Sequence, residues 1–240
     1  MRTSIIKCWI CGKPGTTGEH IVKRSDLKSE FGLITQQSPL YFRRGSLPSK
    51  PIGSLNADIL KSSSRICANC NNTHTQPHDL AWQTLSDFLR NSPRPLTPGL
   101  VVRADEIFGE EANLKLLNVH LYFLKLFGCR IISDNVPIDV RKFSYAILHG
   151  EAHPQIYLKF GYIQMPPGKR QAGISKINAH NKLDGTCVFA FWLYGTGSLA
   201  VNVMFAMDGT QNQLLHGAWH PRLNTSDLTI AAFLSTKAAR

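Results

Sequence analysis

Four cysteines in two closely spaced pairs are the residues of this chain best suited to bind a metal ion. Cys8 and Cys11 form one Cys-x-x-Cys pair, and Cys67 and Cys70 form the other. Each pair can supply one side of a tetrahedral zinc site. A single Cys-x-x-Cys pair could equally serve redox chemistry, but two pairs in one chain favour structural zinc. We therefore predict that the four cysteines hold one zinc ion and join two distant segments.

An acid, an imidazole and an amide lie beside these pairs. Glu19 and His20 follow the first pair, and Asn71 directly follows the second. Oxygen atoms of Glu19 and Asn71 are suited to a hard cation such as Mg²⁺ or Mn²⁺. The imidazole of His20 titrates near neutral pH and can accept a proton from water. If zinc joins the two segments, these groups converge on a site able to hydrolyse a phosphodiester bond.

Each of these residues also has a purely structural interpretation. Glu19 and His20 could be a surface acid beside an ordinary histidine, and Asn71 could simply turn the chain into a helix. His78 falls in the first turn of that helix, where an anion is favoured. It is a candidate to contact a phosphate or the metal, or else a helix-capping surface residue. Lys23, Arg24 and Arg65 flank the motif and are candidates for phosphate contacts.

The chain is basic along its whole length. Its 240 residues carry a formal net charge of +11, and both halves contain an excess of Lys and Arg. Such a charge is expected of a protein that works on a polyanion, and nucleic acid is the partner we predict. Hydrophobic residues make up 43% of the chain and charged residues 18%, which predicts a packed core and excludes a disordered chain.

No apolar run at the N-terminus resembles a secretion signal. The most apolar stretch, 186–207, is interrupted by Gly195 and Gly197, which indicates two strands and a turn instead of a membrane span. We expect a cytoplasmic protein without membrane contact, in which the cysteines stay reduced. Cys129 and Cys187 stand alone in apolar surroundings and are predicted to be buried free thiols.

The elements that must position the motif are a strand, a long insertion and a helix. Residues 26–62 are rich in Ser, Pro, Gly and Arg and are predicted to form an insertion or loop, with a short helix near 25–31. Apolar residues at helical spacing after Cys70 predict a helix with Thr75 as its cap. Several prolines in 93–99 end this helix and mark a linker.

The second half predicts a mixed α+β domain over 100–240, of unassigned fold, serving recognition or oligomerisation. An amphipathic helix is predicted over 110–127 and a closing helix over 227–234. Strands are predicted over 130–132, 155–163, 187–194 and 198–207, the last two forming a hairpin. The fold class is therefore α+β, with a zinc-stapled module over residues 1–92.

The combined motif Cys8-x2-Cys11, Glu19-His20 and Cys67-x2-Cys70-Asn71 resembles the HNH endonucleases of the ββα-metal type. It is most similar to the four-cysteine branch that includes phage junction-resolving endonucleases. The resemblance covers about residues 5–92. Glu19 stands where many members have Asp, and either Asn56 or a backbone carbonyl is expected to orient the histidine.

The resemblance implies a metal-dependent endonuclease that hydrolyses DNA in preference to RNA. His20 would activate the water, and Glu19 and Asn71 would hold catalytic Mg²⁺ or Mn²⁺. The four cysteines would hold structural zinc. His78 is a further catalytic candidate from its place in the first helical turn, and the resemblance does not include it. A homodimer is one expected arrangement, and the biological setting would be phage-related or defence-related.

Two other functions remain open from the residues alone. A non-catalytic zinc module that binds nucleic acid or protein would need the cysteines and the basic surface but not Glu19 or His20. A hard-metal site beside the zinc would distinguish the nuclease from this module. A disulfide oxidoreductase would show a reactive thiol in place of bound zinc.

Overall fold

The computed structural model describes residues 6–208, 213–223 and 225–233, and within them the fold is mixed α+β. The helices are α1 (Arg24–Phe31), α2 (Gln76–Asn91), α3 (Asp105–Phe108), α4 (Ala112–Ser133) and α5 (Arg141–His149). The first strands are β1 (Thr17–His20), β2 (Leu40–Arg44), β3 (Lys50–Ile52), β4 (Lys61–Ile66) and β5 (Val101–Arg103). They are followed by β6 (Ile156–Ile163), β7 (Gln171–Ile174), β8 (Asn178–Asn181), β9 (Cys187–Thr196), β10 (Leu199–Ala206), β11 (Asp227–Thr229) and β12 (Ala231–Phe233).

The residues of the motif lie on a strand–strand–helix unit. β1 pairs antiparallel with β4, and the register is interrupted by an irregularity between Gly18 and His20. A π-helical turn, Asn69–His74, follows β4 and leads into α2. β1, β4 and α2 therefore form the unit on which Glu19, His20 and Asn71 lie, although α1, β2 and β3 come between β1 and β4 in the chain.

A larger sheet organises most of the remaining chain. Its strands lie in the order β12-β6-β10-β9-β7-β2-β3, and β8 also pairs with β9. The predicted hairpin is confirmed, because β9 and β10 are antiparallel neighbours joined by the two-residue turn of Gly197 and Ser198. The helix predicted over 110–127 is confirmed by α4, which packs against α2, β4 and α5.

The loop predicted over 26–62 is wrong in part. The short helix is present as α1, but the segment also supplies β2, which pairs parallel with β7 from the second half. Leu40 and Phe42 point into the core from β2 and are fully buried. Their alternation over a five-residue strand is too short a signal to stand out among the surrounding Ser, Pro and Gly residues.

Packing does not stop at the predicted linker. One buried apolar cluster contains residues from both sides of 93–99, including Trp82 of α2 and Tyr194 of β9. The two segments therefore share a core. The separate functional role of residues 1–92 stays a prediction.

Two further sequence predictions are wrong. The strand predicted over 130–132 is the last turn of α4, where burial is continuous from Val119 to Ile131 and shows no helical period. The closing helix predicted over 227–234 is, in its described part, two strands: β11 pairs with β5, and β12 pairs parallel with β6. Leu228 and Ile230 are buried in alternation, and their strand partners outweigh local helix propensity.

One helical stretch, Asp105–Ser133, is long and apolar enough to cross a membrane by length and composition alone. Its most apolar window is 78% buried inside the fold, as in the core helix of a soluble protein.

Candidate metal and catalytic site

The four predicted cysteine ligands meet at one point. Their Sγ atoms all lie within 4.8 Å of one another, and those of Cys11 and Cys67 are 3.5 Å apart. Four sulfurs placed about 2.3 Å from a tetrahedral zinc would be about 3.8 Å from each other, so the cluster fits an ion of that size. All described cysteines are free thiols. The site can therefore hold a metal such as zinc.

The local backbone supports this geometry. The amide of Cys8 donates to the carbonyl of Lys13, and the amide of Gly12 donates back to the carbonyl of Cys8, which forms a tight knuckle. Gly12 has a φ of 74°, a conformation that glycine adopts without strain. On the other side, the π-helical turn carries Cys70 and Asn71 together.

The cysteine cluster places Asn71 against β1. The Asn71 side-chain amide donates to the hydroxyl of Thr17 over 3.2 Å. Thr75 occupies the N-cap position of α2 as predicted, but its hydroxyl makes no capping hydrogen bond and donates instead to the Cys70 carbonyl at 2.8 Å. The π-helical turn offers this carbonyl directly upstream, which an ordinary helix start would not.

Glu19 points into the protein and meets a buried lysine. Its carboxylate lies 3.5 Å from the Nζ atom of Lys125, whose side chain is only 1% exposed. The same ammonium lies 3.1 Å from the carboxylate of Asp79 and donates to the hydroxyl of Thr75 at 3.1 Å. Burial raises the pKa of Glu19, and the charge of Lys125 opposes that shift.

This arrangement fits a divalent metal at Glu19 poorly. The Lys125 ammonium already neutralises the carboxylate that would bind the ion. A pair of unit charges 4 Å apart interacts by about 4 kcal/mol at an effective dielectric constant of about 20, so the ammonium would repel a divalent ion there by about twice as much and cancel the attraction of one carboxylate. In the described part of the chain, no hydrogen bond links Glu19 to Asn71, whose amide is directed to Thr17.

His20 lies beside the segment around residue 55 and is about half-buried. Its Nε2 atom is buried and has no hydrogen-bond partner, and its ring interacts with the backbone of Leu55. Asn56 is exposed, so the backbone and not this side chain orients the imidazole. Burial lowers the pKa of His20, and the charges of Arg24 and Lys61 lower it further. The imidazole is therefore neutral at pH 7, as a general base must be.

His78 is placed at the interface of α2 and α4. It is 5% exposed, and its Nδ1–H donates to the Oδ1 atom of Asn118 at 2.8 Å. Burial lowers the pKa of His78 to about 4. A phosphate cannot reach this ring without separating the two helices, so the geometry does not support the predicted catalytic role.

Sequence reasoning missed Lys125. The signal was a single lysine inside the apolar run of α4 from Leu121 to Phe127, where a charge must have buried partners. Lys23, expected to contact phosphate, turns inward instead, and its ammonium donates to the backbone carbonyl of Asp79.

Comparison with known proteins finds no matching family model, no matching curated protein and no matching solved structure.

Proposed function

We propose that this chain is an HNH-type endonuclease that hydrolyses phosphodiester bonds in nucleic acid, with DNA preferred over RNA. His20 is the general base, and zinc on the four cysteines holds the catalytic segments together.

One observation carries this proposal. A four-sulfur cluster joins a strand bearing Glu19-His20 to a helical turn bearing Asn71, across a β1–β4 pair followed by α2. A simple zinc module needs the cluster but does not need a histidine with a lowered pKa on the strand that the cluster joins to α2. These residues follow one another in the order that the resemblance implies.

The chemical step follows from the neutral imidazole. The Nε2 atom of His20 accepts a proton from a water molecule, and the resulting hydroxide attacks the phosphorus. The bond to the leaving oxygen breaks, and that oxygen takes a proton from solvent water. Arg24 and Lys61 lie close enough to lower the pKa of His20, so the same charges would attract a phosphate there. Because Nε2 is buried, substrate binding must first displace the segment that covers it.

A second candidate function is a non-catalytic zinc module that binds nucleic acid or protein. It is favoured by the Lys125 ammonium beside Glu19, which leaves little room for the catalytic Mg²⁺ or Mn²⁺ that the resemblance implies. The zinc cluster and the positive charge would then act in binding alone.

A cleavage assay distinguishes the two. Zinc-loaded protein is incubated with supercoiled, linear, single-stranded and branched DNA, and with RNA, in Mg²⁺, in Mn²⁺ and without either. The nuclease predicts cleavage that falls about 10²–10⁴-fold in His20→Ala, the usual contribution of a general base. The exposed His180 supplies the control, and His180→Ala should cleave normally. Undiminished cleavage by His20→Ala refutes the role of His20, and binding without any cleavage supports the second candidate.

A further inference from the structure

We infer that Lys125 is the resident cation of the Glu19 site. Its ammonium, in place of a divalent metal, is the charge partner of Glu19 and Asp79, and it is a positioning group that holds β1 against α2. The inference rests on the proposed function and changes one part of it, since hydrolysis would not depend on a divalent ion at Glu19.

The charges of the site balance without a metal. Two carboxylates, those of Glu19 and Asp79, face the ammonium of Lys125 at 3.5 and 3.1 Å. A second ammonium, that of Lys23, donates to the backbone carbonyl of Asp79. Both ammonium groups lie just under 6 Å from the centre of the Tyr122 ring. Two negative and two positive groups leave no net charge to attract a divalent ion.

The position of Lys125 is fixed by its helix. It lies in the buried middle of α4, between Leu124 and Leu126, which are 0% and 1% exposed. The Lys125 side chain itself is only 1% exposed. An incoming metal would therefore have to strand an ammonium among apolar groups, which is unfavourable.

Lys125 also connects separate elements of the fold, as a bound metal ion would. Its ammonium touches Glu19 of β1, and Thr75 and Asp79 at the start of α2, and its backbone belongs to α4. Three elements are thus joined at one cation. The zinc cluster and this lysine together fix the strand that carries His20 from two sides.

The test is a titration of zinc-loaded full-length protein with Mn²⁺. The electron paramagnetic resonance signal of free Mn²⁺ measures how much ion remains unbound. Wild type should show no Glu19-dependent uptake up to about 1 mM, a weak limit for a carboxylate site. Lys125→Met removes the ammonium that Glu19 and Asp79 share and leaves their two carboxylates without it. One Mn²⁺ should therefore bind at least about tenfold more tightly to this variant than to wild type.

Three variants control this result. Lys125→Met combined with Glu19→Gln should lose the new site, and Lys125→Arg should not gain it, because the charge is kept. Lys115→Met removes an exposed lysine of the same helix, which pairs with Glu111, and should behave as wild type. A lysine with a merely structural role would not create a metal site when removed.

One result overturns the inference: wild type binds one Mn²⁺ and Glu19→Gln does not. This comparison needs no lysine variant, so it holds even where Lys125→Met fails to fold. Uptake that persists in Glu19→Gln lies elsewhere and supports the inference. If no substrate is cleaved under any condition, the proposed function fails while the Mn²⁺ result still decides the role of Lys125.

Discussion

The Sγ atoms of Cys11 and Cys67 lie 3.5 Å apart although 56 positions separate them in the chain. This contact closes the segment that contains α1, β2 and β3, and it brings the start of α2 to β1. The β1–β4 pairing joins the same two segments next to the cluster.

Loss of zinc should unfold this region. Cys67→Ser removes one thiolate, and because structural zinc contributes on the order of 10 kcal/mol, we expect loss of the bound ion and a large fall in Tm. Metal analysis and thermal unfolding measure both effects. Cys187→Ser changes a buried cysteine outside the cluster and should keep one zinc per chain. Equal zinc content in the two variants would contradict the four-cysteine site.

The buried carboxylate of Asp26 should be a major contributor to stability. It accepts hydrogen bonds from Trp82 Nε1 at 2.7 Å and from the hydroxyl of Tyr194, and it lies 3.5 Å from Arg90. Asp26→Ala strands these donors, so we expect a loss of about 3–5 kcal/mol in the free energy of unfolding. Denaturant titration measures the change.

Asp87 provides the matched comparison for Asp26. It lies 3.8 Å from the same arginine but is 36% exposed, so Asp87→Ala should cost no more than about 1 kcal/mol. Similar losses in the free energy of unfolding would show that the buried contacts of Asp26 stabilise the fold no more than the partly exposed ion pair of Asp87 does.

The close contact between Gly128 and Trp9 should tolerate no side chain. A Cβ atom at Gly128 would come within 2.4 Å of the Trp9 ring. Gly128→Ala should therefore cost about 1–3 kcal/mol through overpacking. In the double variant with Trp9→Ala, the additional effect of the glycine change should nearly vanish. If Gly128→Ala destabilises the Trp9→Ala protein as much as it destabilises wild type, the clash is not with the Trp9 ring.

Stability should fall as the medium becomes acidic. Burial lowers the pKa values of His78 and His153 to about 4, whereas an unfolded histidine titrates near 6.5. Below pH 6.5 the unfolded chain binds protons that the folded chain cannot, so each histidine loses up to about 3 kcal/mol of stabilisation between pH 6.5 and 4. The free energy of unfolding measured across this range should decrease steadily.

Replacement of the histidine tests the origin of this effect. His153→Gln should flatten the acid dependence relative to wild type. The exposed His149 should have no such influence, so His149→Gln should keep the slope. A slope that is unchanged in His153→Gln would assign the acid sensitivity to other groups.

Parts of the fold with strong local signals could be predicted from sequence. The cysteine spacing predicts the metal cluster, the long apolar period predicts α4, and the Gly195–Gly197 break predicts the β9–β10 hairpin. Elements whose partners are distant in sequence could not be predicted in this way. β2 is stabilised by β7, and β12 by β6, so their local sequences carry little information.

The same limit applies to the candidate site. The sequence shows Glu19 and His20 as neighbours. The charge that faces Glu19 comes from α4, about a hundred residues later in the chain. Only tertiary structure places Lys125 beside the carboxylate. Local motifs predict which groups are available, whereas the long-range packing decides which charge each group meets.

Because β2 pairs with β7, binding of metal to the cysteine cluster should affect the large sheet. β2 lies between the two cysteine pairs, so releasing the metal frees both ends of the segment that carries it. Amide hydrogens of Phe42 and its neighbours should then exchange faster in zinc-free protein, although they are remote in sequence from every cysteine. Hydrogen exchange at β2 would therefore report whether the metal site is occupied. Deleting the first ninety residues would remove β2 and leave that edge of β7 unpaired.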